Sequence, residues 1–277
     1  MKKNRWIKIL SGAVITGAAL LTLAACGSKQ AAHTYTVGVT GDADYKIWEQ
    51  VAKDVKSQDG ITLNIKNFSD YTQLNPALED GSLNLNAFQS IIYQNTWNSQ
   101  HKGNIKSIGY TYISPFGLYS KKITNYKDLK DGDSVAVPND PANEGRALRL
   151  LAAIGVITLK ANSGDTPGLT DIASYNKKIK ITPLAADQIV AALPSVTAAC
   201  INTNYVVDQL HTTPDKSAIY VDTSDKGKVS AIYKNDIAEN PKKVTSTEAS
   251  DYAKIVKAYQ TDSIAKLVKA ENNIPAW

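Results

Sequence analysis

Two cysteines in 277 residues leave no disulfide framework to build. Cys200 sits in the apolar run 196–201, where a buried, inert thiol is expected rather than a nucleophile. The motifs of hydrolytic, metalloprotease and phosphate-loop chemistry (GxSxG, HExxH, GxxxxGK[ST]) are absent, as is a glycine fingerprint after a strand. Three histidines (His33, His101, His211) fall in a polar tail or near loops, with no carboxylate at ligand spacing beside them. Neither a transition-metal site nor any other cofactor is expected. With no nucleophile and base pair in view, the chain reads as a binding protein and not as an enzyme.

What the sequence does hold begins with a leader. Lys2, Lys3, Arg5 and Lys8 precede an uncharged stretch over 9–25 that closes with Leu23-Ala24-Ala25-Cys26 before Gly27. This is the layout of a secretory signal with small residues at its cut site. The run also overlaps the lower end of a membrane-spanning helix, roughly 17–25 residues, so a retained anchor is the alternative. The Leu-Ala-Ala-Cys cluster resembles the lipobox of bacterial lipoproteins, and a loose polar tail follows. The expectation is a signal peptide over 1–25, then a flexible tail over 26–33 whose first residue, Cys26, carries the lipid. Residues 1–25 hold four basic side chains and no acidic one, so their removal takes the net charge from +5 to +1. No clustered basic surface remains for nucleic acid.

After the tail two periods alternate. Residues 35–40 read as a strand; Ile47, Trp48, Val51, Ala52 and Val55 form a helical stripe; 61–68 is a second strand. That is a βαβ unit, which predicts parallel pairing. Asn75 is placed to cap a short helix with Pro76 at its first position and Gly81 at its end. A brief strand at Leu83, Leu85 and Ala87, a helix over 88–100 and a long strand over 105–113 follow. Strand 134–137 leads into a helix at Asn143. Ile179 and Ile181 mark a strand, Ile189, Val190 and Leu193 a helix, and 196–201 a strand feeding a helix after Asn204. Extended segments at 218–221 and 229–233 precede C-terminal helices through Tyr252, Ile255, Tyr259 and then Ile264, Leu267, Val268. Both halves are α/β layers. The expected lobes are 34–115 with 232–277, and 116–231, joined by extended links near 115–120 and 222–233.

Three constellations carry chemistry. Arg146 lies at the start of the helix after Asn139-Asp140-Pro141, where its charge opposes the macrodipole. A helix N-terminus binds anions, and a guanidinium added there suits two-pronged capture of a carboxylate. Alternatively Arg146 pairs with Glu144 or Asp140 on the surface, worth about 0–1 kcal/mol; the residues alone leave both open. All three phenylalanines (Phe68, Phe88, Phe116) lie near Tyr71, Tyr93, Tyr110 and Tyr112. Such density usually means core, yet Tyr71 and Phe88 flank loops after strands, where clefts of α/β sheets open. Asn202 sits where a strand gives way to a helix and either caps the turn or points its amide into a cleft; capping is the expectation from the residues alone.

Read together, LNPALEDGSLNLNAFQ (74–89), PFGLYSKK (115–122), DLKDGDSVAVPNDPANEGRAL (128–148) and AACINTNY (198–205), in this order behind a lipobox, resemble the methionine-binding lipoproteins of ABC importers, the NlpA-like group. The resemblance spans nearly the whole mature chain. It implies a two-lobed periplasmic-binding-protein fold of the second type, each lobe a mostly parallel sheet flanked by helices, joined by two hinge segments, with the ligand closed between lobes. It implies that Arg146 holds the amino-acid carboxylate with Asn143 in the same motif, that Asn202 meets the ammonium, and that Tyr71, Phe88 and Tyr93 line an aromatic pocket for a thioether. Sulfur against ring edges contributes roughly 0.3–1.5 kcal/mol per contact, enough for such a pocket to prefer methionine. Two positions depart from the pattern. Ser90 stands where the family reads FQH, and KVS puts Ser230 where a YVN-like hinge would present an amide.

The function so implied is capture of L-methionine or a close relative by a monomeric, lipid-anchored protein on the extracytoplasmic face of the cell membrane. The ligand would pass to a permease driven by its ATPase subunit. The alternatives are a short peptide or another amino acid, admitted by the room Ser90 leaves, or a surface scaffold that has lost transport.

Overall fold

The computed structural model describes residues 33–222 and 232–277. The leader, Cys26 and Ser230 lie outside the described residues, as do the first three residues of the extended segment expected over 229–233.

The chain opens with β1 (Thr34–Thr40), α1 (Asp42–Asp59) and β2 (Thr62–Phe68). The two strands pair in parallel, Val37 opposite Ile65, as the βαβ reading predicts. Ile47, Trp48, Val51 and Val55 of α1 are buried against Tyr35, Val37 and Val39, each full burial worth about 1.5–3 kcal/mol. Next come α2 (Leu74–Asp80), β3 (Leu85–Asn86), α3 (Ile91–His101), β4 (Lys106–Tyr110) and β5 (Tyr112–Ile113). The chain then lays down β6 (Phe116–Tyr119), β7 (Ser134–Pro138), α4 (Pro141–Ala153), β8 (Ile157–Leu159), β9 (Ile172–Tyr175), β10 (Lys180–Leu184), α5 (Ile189–Ala192), β11 (Ala198–Asn202), α6 (Thr203–Leu210), α7 (Pro214–Ser217) and β12 (Tyr220–Val221). It ends with β13 (Asp236–Glu239), α8 (Ser246–Tyr259), α9 (Asp262–Ala270) and β14 (Ile274–Pro275).

Two sheets of five strands result, ordered β2-β1-β3-β13-β4 and β10-β7-β11-β6-β12. In the first, β1 is parallel to β2 and β3, while β13 is antiparallel to both β3 and β4. In the second, β7 is parallel to β10 and β11, while β6 is antiparallel to both β11 and β12. Four strands of each sheet thus share a direction, and one is inverted. The inverted strand is in each case the first that the chain lays down after changing sheets, β6 on the way out and β13 on the way back. The sheets, with their flanking helices, are the two lobes that the resemblance implied.

Several local expectations are corrected. Asn75 does not cap α2. Asp70 has already opened the segment by accepting from Thr72 N (2.9 Å), so the helix begins at Leu74 and Asn75 turns inward, 1% exposed. Gly81 does end α2, at φ 88°. The strand over 105–113 breaks at Thr111, whose N–H bonds Asn235 O and whose carbonyl receives Ala276 N, so β5 leaves the sheet and pairs with β14. The link expected near 115–120 is β6, buried at every residue and bonded on both sides. Cys200 is fully enclosed and burial pushes its thiol pKa up, in keeping with an inert thiol.

One buried carboxyl gives a test of this fold. Asp236, 0% exposed, accepts from Gln94 Nε2 (2.7 Å), and burial pushes its pKa up to about 8. The unfolded chain loses that proton near pH 4 and the folded chain only near 8, so the stabilisation, complete below pH 4, is lost as pH rises through this window. Asp236→Asn should therefore raise the melting temperature by several degrees more at pH 8 than at pH 5 in paired thermal scans. An equal effect at both values would contradict a proton held on this group.

Candidate ligand-binding site

The site is built outward from α4. Asp140, in extended conformation, accepts from Asn143 N (2.9 Å), and Pro141 takes the first helical position, so the helix starts two residues earlier than the expected Asn143. Arg146 is consequently in the second turn, where opposition from the macrodipole has largely faded. Gly145 lets this face approach the 166–167 loop: a Cβ there would stand 2.9 Å from Thr166 Cα.

Arg146 does not pair with Asp140 or Glu144. Its Nη2 donates to Ser114 O (2.8 Å), and its guanidinium lies over the rings of Phe116 (4.8 Å) and Tyr233 (4.4 Å). Nε is shut off from solvent with no hydrogen-bond partner among the described residues. Burial lowers the Arg146 pKa, against the opposing pull of Tyr233 and Asp222. An arginine stays charged through such a shift, so a cation is held in an enclosed place with donor capacity to spare.

Beside it runs a chain of polar contacts. Asn143 Nδ2 donates to Asp140, and Asn202 Nδ2 donates to Asn143 Oδ1 (2.9 Å). Asn202 was expected to cap α6. Its side chain makes no cap bond, because the amide is committed to Asn143, and its Oδ1 is enclosed with no partner among the described residues. From the other lobe, Tyr71 OH donates to Asp140 Oδ2 (2.5 Å). Burial, then the charge of Asp140, pushes the Tyr71 pKa well up. Tyr71 packs edge-on against Tyr93 (5.4 Å) and stacks with Phe88 (6.4 Å), and Phe88 meets Tyr93 edge-on (5.7 Å).

Tyr71, Phe88, Ser90, Tyr93, Asn143, Arg146 and Asn202 all border one cavity of about 70 Å³ between the lobes. The cavity has room for several waters at about 10–15 Å³ each. Ser90, from which an imidazole was expected to be missing, is the N-cap of α3, accepting from Tyr93 N (3.4 Å). Asn235, which the sequence reading did not single out, borders the cavity and is bridged to Ser90. Tyr233-Lys234-Asn235 carries a Tyr-x-Asn pattern, a signal legible in the sequence. Tyr205, of the INTNY segment, was also overlooked; its ring lies 6.0 Å from Tyr71.

Asp44, Asp208 and Glu271 also line the cavity. Burial raises the Asp44 pKa to about 7, with repulsion from Asp208 and Glu271 adding to it and the Tyr112 hydroxyl opposing. Here too the lobes touch, Asp42 N donating to Asp208 Oδ1 (3.1 Å). The cleft lining thus includes both a guanidinium and three carboxyl groups.

Two sheets closing on an enclosed guanidinium, an unpaired carbonyl oxygen and a ring-lined wall define a two-lobed solute-binding protein. The chain belongs to the NlpA lipoprotein family, whose model matches residues 35–277. It is 35% identical over 247 residues to the D-methionine-binding lipoprotein MetQ of Salmonella typhimurium, 88% of each chain. Among solved structures it is similar to a nutrient-binding protein from Burkholderia cenocepacia bound to methionine, with 38% identity and a TM-score of 0.79 over 88% of this chain and 100% of that one. It is also similar to the substrate-binding protein of a methionine transporter from Streptococcus pneumoniae, with 33% identity and a TM-score of 0.80 over 88% and 96%.

Tyr71→Phe removes the hydroxyl that joins the lobes at Asp140. A hydrogen bond to a charged group is worth about 1.5–3 kcal/mol, and urea denaturation should show a loss of that size. A change under about 0.5 kcal/mol, the scatter of a neutral surface substitution, would remove the bridge from the account.

Proposed function

We propose that this chain is the capturing component of an ABC importer, taking methionine as a zwitterion between its lobes and passing it to a membrane permease. The observation that carries the reading is the pairing of Arg146, enclosed with an unused Nε–H, with Asn202, whose Oδ1 has no partner. The first awaits a carboxylate and the second an ammonium, and Asn143 stands between them. The thioether would then rest against Tyr71, Phe88 and Tyr93, with Asn235 taking the place proposed for Ser230. The names of the relatives support methionine as the ligand. Most of the curated relatives name the D form, so both enantiomers belong in the test.

The lobes are taken as 34–115 with 232–277, and 116–231, a division supported by the strands that each of the two five-stranded sheets contains. The remaining assignments are the leader over 1–25, lipidation at Cys26, the extracytoplasmic membrane face, a permease with its ATPase as partners, a monomeric state and no catalysis. Support for the anchor comes from relatives that are themselves lipoproteins. Among the described residues no helix is long and apolar enough to cross a membrane.

A second reading, a short peptide, is favoured by one observation. Asp44, Asp208 and Glu271 line the same cavity as Arg146 and would suit the ammonium of a longer zwitterion.

Calorimetry on the purified protein with L-methionine, D-methionine, other amino acids and dipeptides should give methionine as the best ligand. A dipeptide winning would transfer the assignment to the second reading. Arg146→Ala should weaken binding at least about 30-fold, since loss of one member of a buried charged pair costs roughly 2–5 kcal/mol; unchanged affinity would end the role given to this residue. In cells, Cys26→Ser should move the protein from the membrane fraction to the soluble one, and a variant that stays with the membrane would argue for a retained anchor.

A further inference from the structure

Beneath the aromatic wall lies a closed ring of three amides. Asn75 Nδ2 donates to Gln89 Oε1 (2.7 Å), Gln89 Nε2 to Asn86 Oδ1 (3.4 Å), and Asn86 Nδ2 to Asn75 Oδ1 (2.9 Å). The residues are 1%, 2% and 0% exposed, and none of their side-chain nitrogens or oxygens is buried without a partner. Buried amides cost free energy unless every group is bonded, and apolar residues would fill the same space without that condition. What a ring of directional bonds adds is position.

The position concerned is that of Phe88. Asn75 belongs to α2, Asn86 to β3, and Gln89 to the irregular step that leads to α3. Phe88 lies between the two ring members Asn86 and Gln89, so both ends of its short segment are tied to the same helix residue. Apart from the ring, this step is held by Ala87 N to Gly38 O (2.9 Å), by Asp236 N to Gln89 O (3.0 Å) and by the bridge between Ser90 and Asn235. The Phe88 ring itself stacks with Tyr71 and meets Tyr93 edge-on. A shift in this backbone would move the wall against which a ligand side chain packs, while leaving Arg146, Asn143 and Asn202, all on the other lobe, where they are.

We infer that the Asn75–Asn86–Gln89 ring is a positioning device for side-chain selectivity: it sets Phe88, and so decides which side chain the cleft prefers, without touching the ligand's carboxylate or ammonium. This rests on the reading of the cleft as an amino-acid site.

The test uses Asn75→Asp, which keeps the acceptor for Asn86 but removes the donor to Gln89, and Asn75→Leu, which removes both without leaving a charge. For each, calorimetry gives affinities for methionine and for alanine, and a thermal scan without ligand gives stability. The expected result is a methionine-to-alanine preference reduced roughly tenfold, the scale of discrimination that a pocket wall supplies, with alanine affinity nearly unchanged. Alanine would use the same charged contacts and little of the wall. A lower melting temperature with an unaltered preference, or loss of folding in both variants, would make the ring a fold element and overturn the inference. A wild-type protein that does not prefer methionine would instead sink the ligand reading. The ring would then be judged by the same ratio for whichever amino acid binds best against alanine.

Discussion

A cation enclosed beside spare hydrogen-bonding capacity organises this molecule. Arg146 is held over two ring faces and by one backbone carbonyl, and each holder comes from a different stretch: Ser114 and Phe116 where the chain leaves the first sheet, Tyr233 where it returns, and α4 beneath. The guanidinium therefore sits where both passages between the lobes meet. Enclosing a charge this way is costly; the charge of Asp222 offsets part of that cost, and an anion arriving as the lobes come together would lower it further. Placement and task share one physical cause.

The neighbours follow the same logic of shared commitment. Asp140 opens α4, orients Asn143 and receives Tyr71 from the opposite lobe, so one carboxylate serves helix, site and closure. Asn143 in turn occupies the amide of Asn202 and leaves its oxygen facing inward. Polar groups that would be satisfied locally in an ordinary turn are here drawn into the cleft, and the unsatisfied remainder has the donors and acceptors of a zwitterion's complement.

Much of this was legible from residue order. The βαβ opening, the glycine ending α2, the buried thiol at Cys200 and the gathering of Tyr71, Phe88, Tyr93, Asn143, Arg146 and Asn202 all followed from periodicity, turn chemistry or the motifs of a resemblance. The failures have a common origin in long-range pairing. Asn75 has every local mark of a helix cap, and only Asn86 and Gln89, brought alongside by β3, pull it inside. Phe116–Tyr119 looks like a link because its partners, β11 and β12, lie some eighty to a hundred residues on. Asn202 has the position of a cap, and the residue that takes its amide is 59 places away. The Asn235 amide was different: its Tyr-x-Asn signal was present in the sequence and needed no long-range pairing to be seen.

The inverted strands carry a consequence for the order in which the protein acquires its shape. Every strand of the second sheet is drawn from one uninterrupted stretch ending at Val221, whereas the first sheet has a slot between β3 and β4 that only β13 fills. In a chain that emerges amino end first, the later-numbered lobe has all its strands while the earlier one still lacks its fourth. The lobe begun first is finished last, and until Asp236–Glu239 arrives it presents two bare strand edges that other chains could pair with.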